Sequence, residues 1–222
     1  MKIAEINLEG YKEWTESLGY DREWKIQSFQ HNFLSELTQL ASEINSFAVT
    51  YRYDSYILLL DGAEISKIDQ VISKIRDLSP VPIKVCYGYG KTFLEAEKNC
   101  EHGEKISDFN DEKILVAHFD LDGFTRRRYL FDAYLEIFEV YNKIFNIMQN
   151  LGGLAYYFGG DNIGAFLNVE MLNHVKDIVE SISGLKVGVG IGNNPREGLK
   201  NAAKALHIIR LYRDRKIEIV QS

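Results

Sequence analysis

The chain has 222 residues, 45% of them hydrophobic and 26% charged, with 26 Lys and Arg against 32 Asp and Glu for a formal net charge of −6. This balance suits one large domain or two small ones and excludes extensive disorder, and the acidic surplus argues for a small ligand over a long nucleic acid held through many phosphates. Two cysteines, Cys86 and Cys100, without a Cys-x-x-Cys pair exclude a disulfide scaffold, and five histidines without ligand spacing favour carboxylate-bound Mg²⁺ over zinc.

From the N-terminus, residues 2–8 read as a strand with no apolar leader before it. A long helix is expected over 22–44, then a hairpin of 47–53 with 56–60, a second helix over 64–78, a strand over 82–89 and a third helix over 92–105. The pattern then recurs: a strand over 113–121, a helix over 128–150, a hairpin of 154–158 with 163–167, a helix over 170–182, a strand over 185–191 and a helix over 196–211. A last strand follows over 216–220. No apolar run reaches the length of a membrane span, so a cytoplasmic protein with neither membrane nor nucleic-acid partners is expected.

The recurrence holds residue by residue. The segment 5–11 (Glu-Ile-Asn-Leu-Glu-Gly-Tyr) matches 118–124 (His-Phe-Asp-Leu-Asp-Gly-Phe) at an offset of 113. The offset is 107 between 51–55 and 158–162, and 102 between 85–90 and 187–192. Strand-helix-strand-strand-helix-strand is the ferredoxin-like order. The expected fold is therefore α+β, two tandem ferredoxin-like, palm-type repeats with antiparallel sheets related by a pseudo-two-fold axis. The expected domains are 1–108 and 109–222, each with one sheet face under helices and the other open.

The second repeat carries the chemistry. Alternation along the strand puts Leu115, Ala117, Phe119 and Leu121 toward the helices and Val116, His118, Asp120 and Asp122 on the open face. The hairpin Phe-Gly-Gly-Asp-Asn162 lies on the neighbouring strand. Gly159 and Gly160 admit close approach of a nucleotide to the backbone, and Asp161 lies near Asp120. Two carboxylates and the carbonyl of Leu121 make an oxygen cradle for Mg²⁺. His118 either moves protons or bridges the two halves. Arg126, Arg127 and Arg128 are either a solvated run or a phosphate contact, and Lys200 and Lys204 are weaker candidates of the same kind. Gly188, Gly190 and Gly192 share one strand face, which suits a close approach to the other half or to a base. In the first repeat Asn7 and Glu9 replace Asp120 and Asp122, and Arg52 and Tyr53 replace the two glycines. The metal is expected at the second repeat, with Asn7, Arg52 and Asp54 lining the same cleft or, for the last two, forming an ion pair.

Residues 117–125, 158–162 and 185–192, together with 11–15, 22–23 and 51–54, resemble archaeal GTP cyclohydrolase III along almost the whole chain. A broader resemblance runs to the palm domains of nucleotidyl and diguanylate cyclases. The family resemblance implies hydrolytic opening of the guanine imidazole ring of GTP to a formylamino pyrimidine ribonucleotide monophosphate with release of inorganic phosphate. The product would serve flavin and deazaflavin synthesis. It also implies Mg²⁺, activation by K⁺, and a homodimer or homotetramer. Catalysis would fall to His118, Asp120 and Asp161. Substrate contacts would come from Gly159, Gly160, Asn162, Asn7, Arg52, Asp54 and Phe119. Metal ligation would come from Asp120, Leu121 and Asp161, with Asp122 the less certain ligand because relatives carry Asn there. The rival readings are a nucleotidyl or diguanylate cyclase and a non-catalytic nucleotide sensor.

Overall fold

A computed structural model of the chain describes residues 1–102, 112–126, 129–212 and 214–222. The first half runs β1 (Lys2–Leu8), α1 (Tyr11–Ser17), α2 (Glu23–Glu43), β2 (Phe47–Arg52), β3 (Ser55–Leu59), α3 (Ile65–Leu78), β4 (Ile83–Tyr89), α4 (Phe93–Lys98) and β5 (Glu101–His102). The second half runs β6 (Ile114–Leu121), α5 (Leu130–Leu151), β7 (Leu154–Gly159), β8 (Asn162–Asn168), α6 (Leu172–Ser181), β9 (Leu185–Gly192), α7 (Pro195–Leu211) and β10 (Ile217–Gln221). The two sheets have the orders β2-β3-β1-β4-β5 and β10-β9-β6-β8-β7, so the four shared strands follow one order in both halves. The expected boundary between 108 and 109 lies outside the described residues.

Local signals set the helix ends. The Asn194 side chain accepts from the Glu197 N–H at 2.9 Å, and Pro195 takes the first turn of α7, where its missing N–H costs nothing. Thr92 caps α4 in the same way through Glu95 N–H at 3.2 Å. Helix α5 stops at Gly152, which adopts φ 70, a left-handed conformation that a Cβ disfavours.

Alternation along β6 and its neighbours builds the main core of the second half. Leu115, Ala117, Phe119 and Leu121 pack with Ile137, Val140 and Ile144 of α5 and Val175, Ile178 and Val179 of α6. Ala4, Ile6 and Leu8 of β1 pack the same way against Phe33, Leu37 and Leu40 of α2 and Ile68, Ile72 and Ile75 of α3.

The opposite sheet faces are covered, which corrects the expectation of an open face. A third apolar layer joins the two halves, and equivalent positions meet in it. Met1 and Ile3 lie there with Ile114 and Val116, while Phe47 and Leu59 lie with Leu154 and Phe166. The last helix of each half lies on the same face. A Cβ at Gly88 or Gly90 would run into the backbone of Ala96, and one at Gly190 or Gly192 would run into that of Gly198, the equivalent position. The glycine stripe therefore serves a helix of its own half, and neither the other half nor a base.

Other differences have local causes. Helix α1 was not expected; it starts from Gly10 at φ 74 and has no side-chain cap. Helix α4 ends at Lys98, short of the expected 105, because Asn99 donates to the Tyr89 carbonyl at 3.1 Å and Cys100 is tied to Cys86. That disulfide, with Cα atoms 5.4 Å apart, is a single bond, which leaves the exclusion of a disulfide scaffold in place. Residues 103–105 of the expected helix, and residue 128 at the start of the helix expected over 128–150, lie outside the described residues. Strand β10 pairs parallel to β9, since α7 forms the crossover between them. No described helix is long and apolar enough to cross a membrane.

The glycine stripe yields a direct test. Gly190→Ala puts a methyl group into the Gly198 and Ala202 backbone, and should cost about 1–3 kcal/mol, the scale of overpacking in a tight core. Thermal melts should show a drop of several degrees, whereas Gly19→Ala, where a Cβ meets nothing within 4 Å, should show only the smaller strain of its positive φ.

Candidate functional site

The site grows from the β6–β8 register. The strands are antiparallel, with His118 opposite Gly164 and Asp120 opposite Asn162. Directly opposed residues project to one face, so the Asp120 and Asn162 side chains stand side by side at the end of the strand pair. β7 reaches β8 through Gly159 and Gly160, whose φ values of 108 and 61 lie where a side chain is strained. These glycines are thus required by the turn. They also leave space, since a Cβ at Gly159 would meet nothing within 4 Å. Asp161 follows directly.

A chain of hydrogen bonds links the polar groups. Asn162 Oδ1 lies 3.0 Å from His118 Nε2, and Asn162 Nδ2 donates to Asp161 Oδ1 at 2.8 Å. An amide oxygen only accepts, so this arrangement places the ring proton on Nε2. The His118 ring also meets the Phe158 ring edge-on, with centroids 5.4 Å apart. Gly164 makes room for Phe158, whose ring occupies the place of its missing Cβ. Burial under this aromatic cover pushes the His118 pKa below its ordinary 6.5, against the opposing pull of the Asn162 bond and the Asp120 and Asp161 charges. His118 is therefore both buried against the seam and hydrogen-bonded into the polar cluster.

Two cations stand beside the carboxylates, and sequence reasoning passed over both. Arg210, in the last turn of α7, donates to Asp120 Oδ1 at 3.2 Å. Lys186, opposite Asp120 on β9, places Nζ 2.9 Å from Asp122 Oδ1. Lys186 shares the face of Gly188 and Gly190, so period-two alternation along β9 marks it once the strand register is known. Arg210 is reached only through the packing of α7. Asp122 lies just beyond β6, is about half exposed and is engaged by Lys186.

The donor set suits a hard divalent cation. Asp120 and Asp161 offer carboxylate oxygens at adjoining strand ends, and Mg²⁺ is commonly held by one or two carboxylates with phosphates and water completing its shell. Among the described residues, the only place where three His, Cys, Asp or Glu ligand atoms gather within 4.8 Å is Glu5, Cys86 and Cys100. An ion here would thus rest on two side chains and depend on its ligand for the remainder.

Phe119 is corrected: its ring is fully buried in the core beneath α5 and does not reach a substrate. The first-half residues also depart from expectation. Arg52 closes on Asp54 in a two-point ion pair (Nε 3.0 Å, Nη2 2.6 Å), the alternative weighed for these two. Asn7 donates to Glu5 at 2.9 Å. Asn7 and Arg52 line a cavity of about 160 Å³ with Glu5, Tyr51, Ser55, Ile57 and Glu97, all from the first half. Neither Asp120 nor Asp161 lines that cavity, and the apolar layer lies between the two sheets. Arg126 is exposed, and Arg127 and Arg128 lie outside the described residues. Lys200 and Lys204 sit on α7 without a contact to this cluster that sets them apart.

Because the unfolded chain protonates His118 first, its contribution leaves stability unchanged above pH 6.5 and lowers it on acidification below that value. A ¹H–¹³C NMR titration of the imidazole should give a midpoint below 6.5. Asn162→Ala should lower it further, since Asn162 supplies the acceptor that favours the charged ring. A midpoint at or above 6.5 would contradict the burial argument.

Comparison with known proteins bears on this arrangement. A family model described as GTP cyclohydrolase III matches residues 1–221. The GTP cyclohydrolase III of Sulfurisphaera tokodaii is 67% identical over 223 residues, covering 100% of this chain and 99% of that one. The GTP cyclohydrolase III of Saccharolobus solfataricus is 37% identical over 224 residues, covering 97% of each. Among solved structures, a bacterial light-regulated adenylyl cyclase superposes with a TM-score of 0.41 and 12% identity over 99% of this chain and 85% of that one.

Proposed function

The chain belongs to the GTP cyclohydrolase III family and is a GTP cyclohydrolase, and on that premise we propose that the Asp120–Asp161 site opens the imidazole ring of GTP. Water adds to C8 and the C8–N9 bond breaks, leaving C8 as a formyl group on N7. Two further waters cleave the two phosphoanhydride bonds of the triphosphate, releasing two inorganic phosphates and leaving 2-amino-5-formylamino-6-(5-phosphoribosylamino)pyrimidin-4(3H)-one. The observation that supports this site is the register of Asp120 against Asn162, which puts a carboxylate, an amide and the His118 imidazole on one face, with the Asp161 carboxylate of the glycine turn hydrogen-bonded to the same amide.

Asp120 and Asp161 would hold Mg²⁺. When bound, the ion supplies charge stabilisation on phosphoryl oxygens and acidifies water. Gly159 and Gly160 leave the turn open to the nucleotide. Arg210 and Lys186 bring positive charge to the phosphates, exchanging their present carboxylate partners for ligand oxygens. His118, neutral at physiological pH and protonated on Nε2, offers Nδ1 as the basic nitrogen for proton transfer. Asn162 fixes that ring and orients Asp161. K⁺ serves as an activating monovalent cation, and the working enzyme is a homo-oligomer.

Incubation with GTP and Mg²⁺ followed by mass analysis should give the formylamino pyrimidine monophosphate. A cyclic nucleotide or dinucleotide would overturn the ring-opening reading, and binding without turnover would point to a sensor. Chelation of Mg²⁺ should stop the reaction and re-addition restore it. Asp120→Asn should lower turnover by about two orders of magnitude or more, the scale of losing a charge stabiliser at a reacting centre. Near-normal turnover in that variant would exclude Asp120 from the site.

A further inference from the structure

One surface is apolar where a helix facing water should be polar. Along the first half of α5, Leu130 and Phe131 are 91% and 70% exposed, and Tyr134, Leu135 and Phe138 are exposed to 56%, 49% and 37%. Their spacing of one, three, one and three residues places them along one flank of the helix. The opposite flank, through Ala133, Ile137, Val140 and Ile144, is the one buried on the sheet. The α5 flank contacts β7 through Phe138 and Tyr157, whose rings lie 5.4 Å apart. β7 is the terminal strand of its sheet, and its Ala155 carbonyl accepts from the Tyr51 hydroxyl at 2.7 Å.

The five residues together expose roughly 600 Å², taking large apolar and aromatic residues at about 200 Å² each. A contiguous patch of that size stands at the top of the range that monomers leave in water, where such patches are often functional. It comes to about three-quarters of the ~800 Å² per partner of a standard stable interface. A single stripe that is its own best partner fits an isologous pairing, in which the same surface is used twice.

The patch is also tied to the hairpin of the candidate site. Tyr134 stacks on Phe138 at 4.5 Å, Phe138 meets Tyr157, and the Tyr157 hydroxyl donates to the Gly160 carbonyl at 2.9 Å. Gly160 is half of the turn that carries Asp161. A body pressed onto Tyr134 and Phe138 therefore fixes Tyr157, and through it the turn.

We infer that a second copy of this chain docks on the exposed flank of α5 beside β7, and that this docking holds the Gly159–Asp161 turn in its binding geometry through Tyr157. The inference rests on the site proposed above. Tyr157 is a positioning residue: it touches the turn and not the substrate.

The test reads mass and turnover separately. At tens of micromolar, light scattering should give the wild type an even multiple of the 25.5 kDa chain mass. Leu130→Glu combined with Phe131→Glu changes only exposed side chains, and should at least halve that mass while leaving the circular dichroism spectrum and melting profile of a folded protein. In that variant KM for GTP should rise about tenfold, the scale of a misplaced turn. Tyr157→Phe should keep the wild-type mass and show the same rise in KM. A monomeric wild type, or a double variant of unchanged mass, would overturn the docking surface whether or not GTP is the substrate. A dissociated double variant or a Tyr157→Phe variant with wild-type KM would overturn the link to the turn.

Discussion

The close seating of the last helix of each half on a strand without side chains is the constraint from which the remaining arrangement follows. Gly188, Gly190 and Gly192 present bare backbone, and the Gly198–Leu206 stretch of α7 lies directly on it. A helix seated so low carries its C-terminal turn to the end of β6, where Arg210 meets Asp120. Its N-terminal part contributes Ala202 and Leu199 to the layer shared by both halves. Glycine weakens a strand on its own account, because it packs nothing and loses more freedom on folding. That loss is offset here by the burial of an entire helix face.

The two halves share this frame and differ where chemistry resides. Both place a strand end, a hairpin and a glycine-seated helix in the same relation. The second half leaves its hairpin as two glycines and an acid, with two cations at the neighbouring carboxylates. The first half fills the corresponding place with Arg52, which closes on Asp54, and sets Glu5 and Glu97 around a small cavity. Burial and the neighbouring Glu5 charge push the Glu97 carboxyl above its usual range. One architecture thus supports a cluster suited to a metal ion at one end and a self-neutralised cluster at the other.

How much was legible in the sequence divides along the range of the interactions. The strand order, the helix-facing set of Leu115, Ala117, Phe119 and Leu121, and the pairing of the Asp120 strand with the Asn162 strand all rest on period-two alternation and on an internal match, which are local signals. Phe119 illustrates the rule: its neighbours in sequence are site residues, but its parity sends it into the core. What stayed hidden depends on distant contacts. The depth at which α7 seats, and so the role of Arg210, cannot be derived without the helix in place. Lys186 needed the β6–β9 register. Helix α1 gave no cap signal, and α4 was cut short by the Cys86–Cys100 bond and the Asn99 side chain, which act on helix length from outside the helix.

The apolar layer between the sheets has a thermodynamic corollary. It takes Met1, Ile3, Val49, Ile57 and Leu59 from one half and Ile114, Val116, Leu154 and Phe166 from the other. Neither half can keep its second face dry alone, so separating them would hydrate both inner surfaces at once. Melting of one half then removes the shelter of its neighbour, and the tandem copies behave as one foldon, losing amide protection together in a single all-or-none step.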